Sequence, residues 1–314
     1  MIINRRDTLT GSNDLNVVYR PCRIEEMLGN KTSKKIIRNA LDTQKVHHTQ
    51  LFTGNAGCGK TTAARIVALG LNCETNGVSS KPCLECSSCK SIMNGHSIDV
   101  REINVGQSGG KGDVDTIVKD LPLAPFNTRY KVLIFDEAHE LTTAAKNLLL
   151  IPIEAGYEHV YFIFCTNQPE KLITKKTGAD QAFLERCFSL NFDPVSIEEL
   201  RELIQNICEF EGFMFNGDVL DLIAEESKGV PRKAIMWLNK VSSEGSWTLG
   251  SAKEIMKMTS AEDEPAVIEL CRALNKGSWI ESVKLFDSIK TVPVETLRIS
   301  VSGYFVSCLK RSKK

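Results

Sequence analysis

No run of about eighteen apolar residues occurs anywhere in this 314-residue chain, so nothing in it has the length and polarity of a membrane-spanning helix. The opening segment, MIINRRDTLTGSND, also lacks the apolar stretch of a secretory signal. The chain therefore reads as a cytoplasmic protein with no membrane partner. Net charge is missing too, since 39 Lys and Arg balance 39 Asp and Glu. No overall field draws the protein to nucleic acid or anionic lipid, and any DNA contact has to be a local patch. What remains is ordinary globular composition, 42% hydrophobic and 25% charged, in a chain long enough for two or three domains. Its 11 cysteines are an odd number in a reducing compartment, which argues against a disulfide framework and for buried thiols or metal ligands.

The segment TQLFTG, residues 49–54, is a short apolar run ending in glycine, and KTTAARIVALGLN, 60–72, repeats apolar residues at helical spacing. Between them lies GNAGCGKT: Gly54, Asn55, Ala56, Gly57, Cys58, Gly59, Lys60 and Thr61, followed by Thr62. Strand, glycine-rich loop and helix in this order form a phosphate cradle. Glycines let successive backbone N–H groups wrap phosphates, and the helix N-terminus adds its positive dipole end. Lys60 supplies a point charge to the β and γ phosphates of ATP, and Thr61 can hold magnesium. A chance glycine-rich turn is the bland alternative.

KVLIFDEAHE, 131–140, reads as a strand buried on both faces that ends in Asp136 and Glu137. Carboxylates at that end sit on the ligand edge of an α/β sheet. Asp136 is placed to bind magnesium through its water shell, and Glu137 to polarise the water that attacks the γ-phosphate. Simple capping of the next helix is the alternative, weakened by the P-loop upstream. The DEAH string also occurs in helicases, but no arginine-rich second motor domain follows. VYFIFCTNQPEKL, 160–172, is another buried-strand pattern, ending in Thr166 and Asn167. Asn167 could orient the attacking water or be a satisfied turn residue before Pro169. Two arginines have positions of interest: Arg186 in FLERCFSLNF, and Arg232 after a Gly-Val-Pro turn at the start of a helix. Arginine stabilises charge on a transferring phosphoryl group, although most surface arginines do nothing of the kind.

CETNGVSSKPCLECSSC supplies Cys73, Cys83, Cys86 and Cys89. Two successive Cys-x-x-Cys steps and a fourth thiol from the preceding helix end have the spacing of a structural zinc site. A redox pair is the alternative, but no thioredoxin-like pattern surrounds it. His96 is near enough in sequence to substitute.

The order of these motifs resembles the AAA+ clamp-loader ATPases, and within them the gamma/tau branch of bacterial DNA polymerase III. YRPCRIEEMLGN at 19–30, the cysteine insert and LERC at 184–187 carry the resemblance along with the P-loop. It implies that Lys60, Thr61, Asp136 and Glu137 serve ATP and magnesium, that Asn167 is sensor 1, and that Arg232 is sensor 2. Arg186 becomes a finger reaching the neighbouring subunit's ATP, and Tyr19, Arg20 and Pro21 join the nucleotide site. The expected partners are primer-template DNA, a sliding clamp and other clamp-loader subunits in a ring-like pentamer. In this family the apolar tip corresponding to Leu121, Leu123 and Phe126 inserts into the clamp, though core packing would suit each of them.

The expected architecture is an AAA+ P-loop NTPase core with a parallel α/β sheet over 1–193, carrying the zinc module at about 73–96. A three-helix lid follows over 194–244, then a helical collar over 245–314 built from three amphipathic helices. The absence of a long tail suggests a minimal, phage-type small subunit. Three departures from the family pattern stand out. Glu185 replaces the serine before Arg186, with a longer loop, ITKKTGADQAF, ahead of it. The stretch 104–116 lacks the family's basic DNA contacts, leaving Lys111 and glycine N–H groups. Pro152 is expected to bend or end its helix early.

Overall fold

The computed structural model describes residues 14–108, 110–172, 178–260, 264–275, 279–288 and Val301. A compact unit runs to Ser242, and a second begins at Ser243.

The first unit is organised by five strands: β1 (Thr49–Gly54), β2 (Val100–Asn104), β3 (Lys131–Asp136), β4 (Val160–Thr166) and β5 (Phe188–Phe192). They form one sheet in the order β2-β3-β4-β1-β5, and every pairing is parallel. Alternate residues feed opposite layers, as the two-residue period of a strand requires. Val132 and Ile134 of β3, with Tyr161, Ile163 and Cys165 of β4, pack with α2 (Lys31–Asp42) and α3 (Lys60–Asn72). Leu133 and Phe135, with Phe162 and Phe164, enter the opposite layer, where α6 (Lys111–Asp120), α7 (Thr143–Ala155) and α8 (Gly178–Glu185) supply the partners. The inner strands β3 and β4 are therefore largely apolar on both faces, as a sheet covered on both sides demands, while β1 also buries Thr49 and Gln50. Short helices α1 (Leu15–Val18), α4 (Ser87–Met93) and α5 (Val105–Ser108) complete this part.

Helix α7 starts at Thr142, whose hydroxyl accepts the Ala145 N–H, and stops at left-handed Gly156. It runs three residues past Pro152, so the proline does not end it early. Proline sits in the last turn, where its φ is already helical and one ladder bond is lost, while Gly156 N–H donates to the Pro152 carbonyl and closes the end. The loop expected ahead of Arg186 is helical over 178–185 as α8; residues 173–177 lie outside the described set.

Three helices follow β5: α9 (Ile197–Glu211), α10 (Gly217–Glu226) and α11 (Pro231–Glu244). Ser196 caps α9 through Glu199 N–H and left-handed Gly212 ends it, while Asn216 caps α10. Each buries an apolar stripe, such as Leu200, Leu203, Ile204 and Ile207 on α9.

In the second unit, α12 (Leu249–Ser260), α13 (Glu264–Asn275) and α14 (Trp279–Ser288) are described, and α13 packs on α14. Helix α12 was not anticipated. The third amphipathic helix expected around 294–310 lies outside the described residues, apart from Val301. Among the described residues no helix is long and apolar enough to cross a membrane.

Candidate nucleotide-binding site

The P-loop joins the C-terminal end of β1 to α3, at the sheet edge where β3 ends in Asp136. Gly54 has φ 136°, and a Cβ there would lie 2.1 Å from the Phe192 carbonyl oxygen, so β1 and β5 can close only around glycine. Gly57 and Gly59 also take positive φ, 78° and 99°. Lys60 is buried, and its ammonium donates to the carbonyls of Gly54 and Asn55, both at 2.8 Å. Burial holds its pKa below the ordinary lysine value.

Beside it the Thr61 hydroxyl donates to Asp136 Oδ2 at 3.0 Å, and Asp136 Oδ1 accepts the Glu137 N–H at 3.1 Å. Hydroxyl and carboxylate thus face each other as a hard-oxygen pair suited to magnesium. Glu137 is left-handed, φ 55°. The pocket around these groups is also lined by Tyr19, Arg20 and Pro21, by residues 56–62, and by Pro231 and Arg232 at the start of α11. Burial lowers the Arg20 pKa, and the neighbouring Arg65 and Arg232 charges lower it further. Cations crowded and desolvated in this way favour a polyanionic ligand, which relieves their repulsion.

The remaining wall was missed in the sequence. Met27 and Leu28, with Leu203 of α9 and Ile235 of α11, give the pocket an apolar side that suits the flat face of a base. Met27, Leu203 and Ile235 are also buried, and apolar spacing alone does not separate a pocket wall from a core.

Two expected residues stand apart from this pocket. Asn167 follows β4, and its Oδ1 is enclosed without a hydrogen-bond partner. Arg186 pairs with Glu154 Oε1 of α7 at 2.7 Å and donates to the Ala182 carbonyl at 2.8 Å. Both members of that ion pair are partly exposed.

The four cysteines do come together. The sulfurs of Cys73, Cys83, Cys86 and Cys89 all lie within 4.8 Å of one another. Backbone N–H groups point at them: Asn76 and Cys83 at Cys73, Glu85 and Cys86 at Cys83, and Cys89 at Cys86, over 3.3–3.4 Å. Burial pushes the Cys83 thiol up, but N–H donation from Glu85 and Cys86 and side-chain contacts with Thr75 and Cys86 outweigh it and bring the thiol down to about 6. Burial pushes Cys89 up. Four converging soft donors with N–H groups aimed at the sulfurs fit a closed zinc cage. His96 is exposed and outside the cluster.

Of the candidate tip residues, Leu121 is core, whereas Leu123 and Phe126 are 64% and 76% exposed. Lys111 opens α6, whose N-cap residue Gly110 offers no side-chain cap.

A profile of the family described as DNA polymerase III, delta subunit, matches residues 29–196. The chain belongs to this clamp-loader family of AAA+ ATPases. Among curated relatives, the DNA polymerase III subunit gamma/tau of Mycobacterium bovis is 32% identical over 87% of the chain and 46% of that protein. Subunit tau of Escherichia coli is 29% identical over 91% of the chain and 43% of its own length. The clamp-loader chain thus spans a little under half the length of these two relatives. Among solved structures, a Thermotoga maritima RuvB Holliday junction branch migration motor superposes with TM-score 0.60 at 19% identity, covering 92% of this chain and 91% of that one. At that identity the likeness speaks to the fold, an AAA+ arrangement.

Proposed function

We propose that this chain is a clamp-loader subunit that binds ATP with magnesium, hydrolyses it, and uses the cycle to open a sliding clamp and load it onto primer-template DNA. The observation that carries the reading is the convergence of Lys60, Thr61, Asp136 and Glu137 on one pocket in a chain of this family. Lys60 would exchange its two carbonyl partners for phosphate oxygens. Thr61 and Asp136 would hold magnesium, which supplies Lewis-acid charge neutralisation. Glu137 polarises the attacking water, Asn167 orients it, and Arg232 reports the nucleotide to α11.

Arg186 acts in trans on a neighbour's nucleotide. Its absence from its own subunit's pocket supports that role. The Glu154 pair that holds it is partly exposed and worth on the order of 1 kcal/mol or less, so assembly can release it. Residues 194–244 form the lid, and the second unit is the collar of a ring-like pentamer. Leu123 and Phe126 dock on the clamp, Lys111 and nearby backbone N–H groups meet DNA phosphate, and the four cysteines hold a structural zinc.

The test is ATP turnover of the full chain with clamp and primed DNA, compared with Glu137→Gln and Arg186→Ala. Stimulated turnover that both substitutions abolish supports the proposal. DNA unwinding without clamp stimulation would favour a helicase or branch-migration motor, and nucleotide binding without turnover a scaffold.

A further inference from the structure

Glu137 does not stand alone at the tip of β3. Its Oε2 lies 3.3 Å from Nδ1 of His139, in an enclosed position with no aligned hydrogen bond. The same Nδ1 hydrogen-bonds Thr166 Oγ1 at 3.2 Å. Thr166 is fully buried at the end of β4, and its hydroxyl also accepts the Gln168 N–H at 3.1 Å. On the far side of the ring, Nε2 lies 3.2 Å from Glu140 Oε1. The His139 side chain is 5% exposed, so the ring is fixed between the ends of two adjacent strands.

Glu137 occupies a left-handed conformation, uncommon for a residue with a Cβ and maintained by its surroundings. The ring edge facing it is shared with a buried hydroxyl from the strand that leads into Asn167. The Glu137 carboxylate therefore lies against a ring edge whose hydrogen bond goes to Thr166 of β4.

We infer that His139 is a positioning residue for ATP hydrolysis: held through Nδ1 by Thr166 at the tip of β4, the ring stands against the Glu137 carboxylate and limits the directions in which Glu137 faces the attacking water. The inference rests on the proposed role of Glu137. Hydrolysis chemistry is sensitive to such alignment, because a misplacement of about 1 Å can reduce turnover by about a hundredfold. Glu140 holds the opposite nitrogen and keeps the ring from rotating away.

Two substitutions separate the ring's edges. In His139→Asn the amide nitrogen falls near Nδ1, whereas in His139→Gln it falls near Nε2. Turnover of the full chain with clamp and primed DNA, ATP affinity and Tm are measured for both, with Thr166→Val and Glu137→Gln alongside. The expected result is a kcat for His139→Gln reduced by about ten- to a hundredfold with KM for ATP little changed. His139→Asn recovers most of that loss, and Thr166→Val cancels the recovery. Equal kcat for the Asn and Gln variants, or wild-type kcat for both, overturns the inference, as does a loss confined to KM or Tm. If His139→Gln does not fold, wild-type kcat in Thr166→Val overturns it. Undiminished turnover in Glu137→Gln would remove the underlying role of Glu137 instead, which is a distinct outcome.

Discussion

Replacing Gly57 by alanine tests whether the P-loop and α11 are in contact as the structure has them. Gly57 has φ 78°, and a Cβ on it would lie 2.6 Å from Val230 Cγ1 and 3.2 Å from Arg232 Cβ. The left-handed conformation alone costs an alanine about 1–2 kcal/mol. Carbon atoms prefer separations of about 3.5–4.0 Å, so Val230 must yield by about 1 Å, and overpacking of that kind costs about 1–3 kcal/mol. Together they predict a loss of roughly 3 kcal/mol, and for a unit of this size a fall in Tm of about 6–12 °C. ATP affinity falls as well, since the displaced segment carries Arg232. A double-mutant cycle isolates the contact: Val230→Ala removes the methyl group in the way, so Gly57→Ala should cost less in that background. Tm and denaturant midpoints of the four proteins give the coupling. A coupling below about 0.5 kcal/mol, the level expected of independent sites, would refute the contact.

Asp99 gives a prediction with a pH sign. Its carboxylate accepts N–H bonds from Phe126, Asn127 and Thr128 at 2.8–3.0 Å and the Thr128 hydroxyl at 3.1 Å. Burial pushes the group up, but those donors outweigh it and hold the carboxyl below its ordinary range. A depressed carboxylate stabilises the fold fully above its unfolded pKa of about 3.9 and loses that contribution as pH falls through the lower folded value. Asp99→Asn should therefore cost about 1.5–3 kcal/mol at pH 7 in urea unfolding, and the gap to wild type should narrow below about pH 4. An unchanged gap would contradict the assignment. Phe126→Asp should abolish clamp binding with little change in Tm, because the ring is exposed; unfolding would mark it as core. Purified chain should contain about one zinc, and Cys83→Ser should lose it and expose 74–92 to protease. Folding without metal would rule the cage out.

The central strands were legible to within a residue, because KVLIFD and VYFIFCT are apolar on both faces and, like TQLFTG, are bounded by motif residues. The edge strands were not. In β2 only Ile103 is buried, so VREIN passes for loop; in β5 Leu190 and Phe192 alternate with exposed Ser189 and Asn191, a strand signal that is only five residues long and was read only as the segment carrying Arg186. The same logic covers the site. Glycines, lysine and carboxylates announce chemistry at fixed spacing, whereas Met27, Leu203 and Ile235 have no signature separating a pocket wall from a core. Pro152 misled for a local reason: its effect depends on which turn of α7 it occupies, and that turn was set by Gly156.

The proposed coupling of nucleotide to the helices after β5 has a structural basis in what holds their first residues. The chain leaves β5 at Phe192 and is gripped at once: the Asn30 side chain donates to the Asp193 carbonyl and accepts its N–H, at 3.2 and 2.7 Å. One residue past Pro194, the Val195 N–H donates to the Gly229 carbonyl at 2.8 Å. A Cβ on Gly229 would lie 2.5 Å from Pro194, and one on Gly29 would lie 3.3 Å from Val195. Residues 193–195 are thus held between Gly29 and Asn30, which follow the pocket residues Met27 and Leu28, and the turn leading into Arg232. Under that proposal, a ligand drawing those two walls together would act on residues 193–195 from both sides. If α9, α10 and α11 act as the lid proposed above, their rotation needs no long relay on one side, because Arg232 lies three positions from Gly229.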